Sequence, residues 1–496
     1  MSVREVSDAT TLRPAFHFSV PDNWKNDPQR PVYVAGEYLY YYLYNGDYLA
    51  GGIGTSWRLA TTGDHVTFVD CGVAIPKFTN GNGDCWSGSV VVDTDGTAGF
   101  GRGALVALVT QAAVDAVPEG RQAQYLWFST DGGRSFSSGG DDPVLDAAGV
   151  PDFRDPKIIW DAERERWFLA LAEGDRLGFY ASADLRGWSR VGEFARDDLG
   201  LLECPDIFRM TADDGSETWI LGVSANATHR GLPATYAYWA GAFDGSSFTP
   251  DSVEPRWLDR GFDFYGAVTY PHHGSDGEED PSLRHVIGWA NFWDYPHNTP
   301  TILTDGYNGD DMIVRDLRLV RGSDGYRLTS VPTAALADYV TTTHRIGDVE
   351  VDGSLDLELS SVAYDLTCDI SWSAGAQDVG MEVCRAAAGS RFVAAGLDLV
   401  SGEAYLDRTR TANPTRGRTR APFDATSGTA RWRLLVDRTS VEVFIDDGES
   451  VQSHRVFPLA GDEHIRLYTR GGTAHFRQLI VRELRVPATS VLPSVP

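Results

Sequence analysis

The sequence predicts an all-β protein, a propeller of diverged blades followed by a β-sandwich. Three observations carry this. Few windows show a helical period, whereas short apolar runs recur: GSVVV at 88–92, ALVALV at 104–109, WFLAL at 167–171 and WILGV at 219–223. Gly, Asp, Asn and Pro separate such runs, as in Asp131-Gly132-Gly133 and Asp213-Asp214-Gly215, which is turn chemistry between strands. A loose pattern of strand, strand, Asp-Gly turn and strand continues to about residue 335 without a strict repeat, as blades that have diverged would show.

Beyond that point the pattern changes. LDLEL at 355–359 and SVEVFI at 440–445 alternate apolar with polar, and WRLLV at 432–436 and FRQLIV at 476–481 do so less strictly. That is the mark of half-buried antiparallel strands. The stretch 333–343 is the candidate join, with one short helix. The chain therefore divides into a propeller at 1–335, a linker at 336–345 and a sandwich at 346–496. A length of 496 residues exceeds what one simple core supports.

Composition narrows the partners. The net charge of -27 repels a phosphate backbone, which excludes nucleic acid as a natural ligand. No run approaches a membrane span, and no apolar leader opens the chain. Fourteen Trp and twenty Tyr supply faces that stack on sugar rings as well as core. The five cysteines, Cys71, Cys85, Cys204, Cys368 and Cys384, contain no C-x-x-C pair, which argues against a structural zinc site. Cys71–Cys85 and Cys368–Cys384 are possible bridges that nothing in the sequence requires. His272-His273 reads as part of a polar surface loop.

Three carboxylates share a setting. Asp27 lies in Trp24-Lys25-Asn26-Asp27-Pro28, Asp155 in Phe153-Arg154-Asp155-Pro156, and Glu203 in Leu202-Glu203-Cys204-Pro205. Proline confines the backbone near each, so Asp27 reads as a turn residue. Arg154 beside Asp155 favours its ionised form, and the apolar neighbours of Glu203 disfavour the charged form, as a general acid requires. Glycoside cleavage with retention uses one carboxylate as nucleophile and a second as acid/base, and a third can steady charge on the ring. The three are far apart in sequence, and a propeller brings the innermost strands of different blades to one axial pocket. The alternative is three turn carboxylates that never meet.

These motifs resemble glycoside hydrolase family 32, the fructosidases. Trp24-Lys-Asn-Asp-Pro28 resembles W-M-N-D-P, Trp86-Ser-Gly-Ser89 resembles F-S-G-S, Arg154-Asp-Pro156 matches R-D-P and Glu203-Cys-Pro205 matches E-C-P. Asp263-Phe-Tyr265 resembles D-F-Y, Trp289 to Trp293 the later W-x-x-x-W segment, and Asp437 to Phe444 the D-R-S-S-V-E-V-F strand. The resemblance implies a five-bladed propeller joined to a β-sandwich. It implies Asp27 as nucleophile, Glu203 as acid/base and Asp155 as transition-state stabiliser, with Arg154 beside it. Trp24, Asn26, Trp57, Trp86, Ser87, Tyr265 and Trp289 are the implied substrate-binding residues. The substrate is a fructan or fructo-oligosaccharide, with no metal and no cofactor. A polymeric substrate implies an extracellular mature chain.

The chain departs from the family pattern at Lys25, Gln29-Arg30, Leu43, Trp86 and Val314-Arg315-Asp316. With the first motif and Leu43 altered, it looks most like the levan fructotransferases, in which a hydroxyl of the same chain opens the covalent intermediate and releases a difructose dianhydride. An intramolecular hydroxyl has an effective molarity of about 10⁵ M or more. The alternatives are a hydrolytic levanase or another β-fructofuranosidase, and outside enzymes a fructan-binding module.

Overall fold

The computed structural model describes residues 11–112, 121–147, 149–150, 152–487 and 489–491. Five sheets, antiparallel apart from two short parallel pairings in the first, follow one another along the first two thirds of the chain, each entered by its innermost strand. Those strands are Asn23–Pro28, Asp84–Asp93, Phe153–Asp161, Leu202–Thr211 and Tyr265–His273. Apolar residues between sheets join each blade to the next. Leu43, Trp57 and Leu59 meet Val90, Leu105 and Trp127 across the first seam, and Phe168 and Phe179 meet Ile207 and Trp239 across the third.

The ring closes between the last blade and the first. An insertion in the last blade carries strand Tyr307–Asn308, which pairs in parallel with Asn23 and Trp24. Tyr38, Tyr40 and Tyr42 pack there against Val268, Tyr270 and Ile287.

Every innermost strand carries a register shift at the same place. The shifts fall between Lys25 and Pro28, Cys85 and Gly88, Arg154 and Lys157, Glu203 and Asp206, and Tyr265 and Val268. A bulge twists the strand and re-aims its side chains. It also excuses proline from the ladder, which explains Pro156 and Pro205. Asp27 thus sits in a bulged strand and not in a turn, and the proline beside it is the mark of the bulge. Asp155 and Cys204 hold left-handed φ of 63 and 48, a strained conformation for such residues.

After strand Gly325–Pro332, the segment expected as a linker holds the end of a 3₁₀ turn, Ala334–Tyr339, and the start of strand Val340–Ser360. Ten strands of the last third form one hydrogen-bonded system. The long strand Asp462–Leu484 belongs to both leaves: its first half pairs with Asp378–Ala386 and its second with Tyr364–Trp372. Gly471, at φ 79, lies where it passes from one leaf to the other. Val379, Met381 and Leu397 of one leaf bury against Leu366, Trp432 and Val443 of the other, as a sandwich requires. All five cysteines are free thiols.

The two domains meet through buried charge. Asp437 accepts from the amides of Ala15 and Phe16 at 2.7 and 3.0 Å. His17 lies 2.9 Å from Asp437 and 2.8 Å from Glu442, and Arg315 lies 2.9 Å from Asp259 and 2.7 Å from Glu442. Arg408 reaches Asp263 at 2.6 Å. Two segments that carried the family resemblance, Asp263-Phe-Tyr265 and Asp437 to Phe444, therefore help to hold the domains together. Among the described residues no helix is long and apolar enough to cross a membrane.

Candidate active site

The bulges aim their side chains into one axial cavity of about 670 Å³. Asn26 and Asp27 enter it from the first blade, Trp86 and Ser87 from the second, Arg154 and Asp155 from the third, Glu203 from the fourth and Tyr265 from the fifth. The three carboxylates thus meet. Ser87 donates to Asp27 Oδ2 at 3.1 Å, and the Trp24 indole donates to Asn26 Oδ1 at 3.1 Å. Gly266, at φ 57, leaves room for Asp27: a Cβ there would come within 2.8 Å of its Oδ1.

Arg154 is placed differently from expectation. Its guanidinium lies 4.0 Å from Asp155 but donates to Glu203 Oε1 from Nε at 3.1 Å and from Nη2 at 2.9 Å. Tyr265 donates to the other oxygen, Glu203 Oε2. Glu203 is therefore held by charge and hydroxyl and not by an apolar wall, because the bulge turns its side chain away from Leu202 and toward the axis. Nη1 of Arg154 is fixed in turn by Gln122 at 3.1 Å and Asp152 at 2.5 Å. Asp155 accepts from the Cys204 amide at 3.0 Å.

The crowding of acids shows in their proton affinity. Burial, then the charges of Glu203 and Asp155, push the Asp27 carboxyl up to about 7, against smaller opposing hydrogen bonds from Ser87 and Asn26. Asp155 is also raised. Burial outweighs the Arg154 charge, and Glu203 adds to the rise. Arg154 does favour the ionised form of Asp155, as expected from the sequence, but burial outweighs it, since a buried charge without close pairing is costly. Burial keeps the Tyr265 phenol protonated, well above its usual range, so it stays a donor.

Two implied binding residues lie behind the wall. Trp57 is fully buried between the first two blades, and its indole donates to the Trp86 carbonyl at 2.9 Å. Alternation along strand Ser56–Thr62 points it to the inter-blade core. Trp289, also fully buried, backs Trp24 with ring centroids 5.9 Å apart. Trp24, Asn26, Trp86, Ser87, Arg154 and Tyr265 do line the cavity, with Tyr48, Gln122, Asp152, Asn226, Trp293 and His297 besides. Among these only the tryptophan pair Trp289 to Trp293 and the neighbourhood of Arg154 gave a signal in sequence.

Below the cavity the axis is closed. Gln29 donates to Ser87 Oγ at 3.2 Å and accepts from the Gly88 amide at 2.7 Å. Arg30 donates to the Gly88 carbonyl at 2.8 Å and to that of Pro205. Lys157 pairs with Asp206 at 3.0 Å. The residues that depart from the family pattern after Asp-Pro thus form a plug.

Known proteins match this arrangement. The family model for the N-terminal domain of glycosyl hydrolases family 32 matches residues 17–332, and that for the C-terminal part matches residues 335–483. The chain belongs to glycosyl hydrolase family 32. Among its family 32 relatives is the levanbiose-producing levanase of Bacillus subtilis (strain 168), 44% identical over 474 residues, covering 95% of this chain and 90% of that protein. The levanbiose-producing levanase of Geobacillus stearothermophilus is 43% identical over 402 residues, covering 80% of this chain and 100% of that protein. The crystal structure of exo-inulinase from Aspergillus awamori superposes with a TM-score of 0.82 at 25% identity, covering 96% of this chain and 98% of that one. The chain is thus an enzyme, a glycosidase of that family.

Proposed function

We propose that the protein hydrolyses β-2,6 fructan from a chain end and releases levanbiose with retention of configuration. The observation that carries the reading is the meeting of Asp27, Asp155 and Glu203 from three blades in one cavity that Gln29, Arg30 and Lys157 close from below. A blind pocket admits a chain end more readily than a chain middle. The names of the similar levanases support levanbiose as the product. The levan fructotransferase reading rested on the altered first motif and on Leu43; Gln29 and Arg30 are turned toward the plug, Leu43 lines the cavity, and the names of the similar levanases favour hydrolysis over transfer.

In this mechanism ionised Asp27 attacks the anomeric C2, and the bond from C2 to O6 of the neighbouring sugar breaks. Glu203 gives its proton to that leaving oxygen. Arg154 stabilises the carboxylate that Glu203 becomes, and Asp155 steadies the positive charge developing on the ring. Water then attacks the ester-linked C2 of the levanbiosyl unit that Asp27 holds, and levanbiose leaves. Glu203 takes the water proton, and Asp27 leaves as a carboxylate. A polymeric substrate places this reaction outside the cell.

The test is a product analysis. The protein is incubated separately with levan, inulin and sucrose, and the products are separated and weighed. Levanbiose from levan is the expected outcome. A disaccharide one water lighter would overturn hydrolysis in favour of intramolecular transfer.

A further inference from the structure

His272 lies on no surface loop. It is the last residue but one of the innermost strand of the last blade, half-buried, and faces two buried histidines. His285 comes from the neighbouring strand of the same blade, Glu279–Trp289, and His65 from the first blade, just past strand Ser56–Thr62. One ring nitrogen from each of the three lies within 4.8 Å of the other two. The cluster straddles the seam where the ring closes, away from the catalytic cavity.

The donor chemistry is that of a metal site. His272 Nδ1 is 2.9 Å from His285 Nε2. The other nitrogen of His285, Nδ1, lies 3.0 Å from Asp316 Oδ1. That carboxylate fixes a proton on Nδ1 and leaves Nε2 as a lone pair, the arrangement that supports a ligating histidine from outside. His65 Nδ1 lies 3.1 Å from the Tyr270 hydroxyl, which can accept from Nδ1–H as well as donate to it; in the accepting orientation Nε2 of His65 carries the lone pair. His65 and His285 rings are 3.9 Å apart, and burial holds His65 and His285 below the usual range of histidine, so both offer neutral imidazole. His65 also holds a left-handed φ of 65.

We propose that His65, His272 and His285 bind one divalent transition-metal ion, Zn²⁺ being the best fit, and that the ion staples the first blade to the last. Three imidazoles leave a fourth tetrahedral position for water. Nitrogen ligands 2.0–2.1 Å from zinc stand roughly 3.4 Å apart in a tetrahedron. The 2.9 Å pair opens slightly, and a separation at the 4.8 Å limit closes by about 1.4 Å; His272 is the most solvent-accessible of the three ligands.

The whole protein, freed of metal by chelator, is titrated with Zn²⁺ by calorimetry and with Co²⁺ by visible absorption, and its melting temperature is measured with and without Zn²⁺. The expected result is one ion per chain at micromolar concentration, tetrahedral Co²⁺ bands and a Tm higher by about 2 °C or more at saturation. His272→Ala, the substitution least costly to the fold, removes all three effects. His344→Ala, at a surface histidine paired with Glu483, removes none. Absence of one-to-one binding, or binding that His272→Ala leaves intact, overturns the proposal.

Discussion

The Arg154 guanidinium lies 2.9 Å from Glu203 and 4.0 Å from its own sequence neighbour Asp155. It joins the third blade to the fourth, and it does so with a two-nitrogen fork that lysine lacks. Arg154→Lys keeps one charge but loses the fork and the grip on Gln122 and Asp152. We expect kcat/KM on levan to fall by about 10²-fold or more, the usual scale for losing a preorganised donor at developing charge. A variant within twofold of wild type would remove Arg154 from the mechanism.

Asp27 links activity to stability with opposite signs. Its carboxyl titrates near 7 in the fold and near 4 in the unfolded chain. The fold therefore holds a proton that the unfolded chain has released, and stability falls as pH rises from about 4 through about 7. Asp27→Asn removes that penalty. The variant is expected to lose at least about 10³-fold in kcat yet to melt about 2 °C or more above wild type at pH 8, with the difference gone at pH 4. Calorimetric scans at both pH values check it, and a variant less stable at pH 8 contradicts the account.

His17 gives the reverse test at the domain junction. Burial lowers its proton affinity, but hydrogen bonds to Asp437 and Glu442 and the charges of both raise it to about 9. A histidine raised in the fold stabilises fully below about 6.5 and loses that contribution as pH rises through about 9. Wild type should lose melting temperature between pH 7 and 10. His17→Gln should start lower, by about 3 kcal/mol for a broken buried pair, and show a flatter slope. Parallel slopes would mean that His17 is neutral at pH 7.

Much of this was legible in the sequence, and the reasons are local. Turn chemistry and apolar runs mark the blades, and the three carboxylates stand beside prolines that mark bulges. The bulge itself was not legible: proline after Asp27 looks the same in a tight turn. Nor was the partner of Arg154, because a register shift decides which neighbour a side chain meets. Gln122 and Asn226 reach the cavity from the ends of strands with ordinary alternation, so nothing in their own segments sets them apart. His272 reads as part of a surface loop for a similar reason, yet it lies in a strand. His65, His272 and His285 come from two blades, and only ring closure brings them together.

Trp57 and Trp293 separate structural from binding tryptophans. Trp57 is wholly buried between blades, whereas Trp293 is 42% exposed and lines the cavity. Trp57→Ala opens a large void, and the cost is about 3–5 kcal/mol, read as a lower denaturant midpoint. Such a loss leaves KM for levan unchanged in whatever fraction remains folded. Trp293→Ala removes an aromatic face at the mouth where a second or third fructosyl unit of the chain would stack, at about 1 kcal/mol or less in stability. Its KM for levan should rise several-fold with kcat little altered, the signature of lost binding shared by ground and transition states. On sucrose, too short to reach the mouth, the same variant should behave as wild type. An equal rise on both substrates would place Trp293 at the reacting sugar instead, and would shorten the chain-binding path that the levanbiose reading needs.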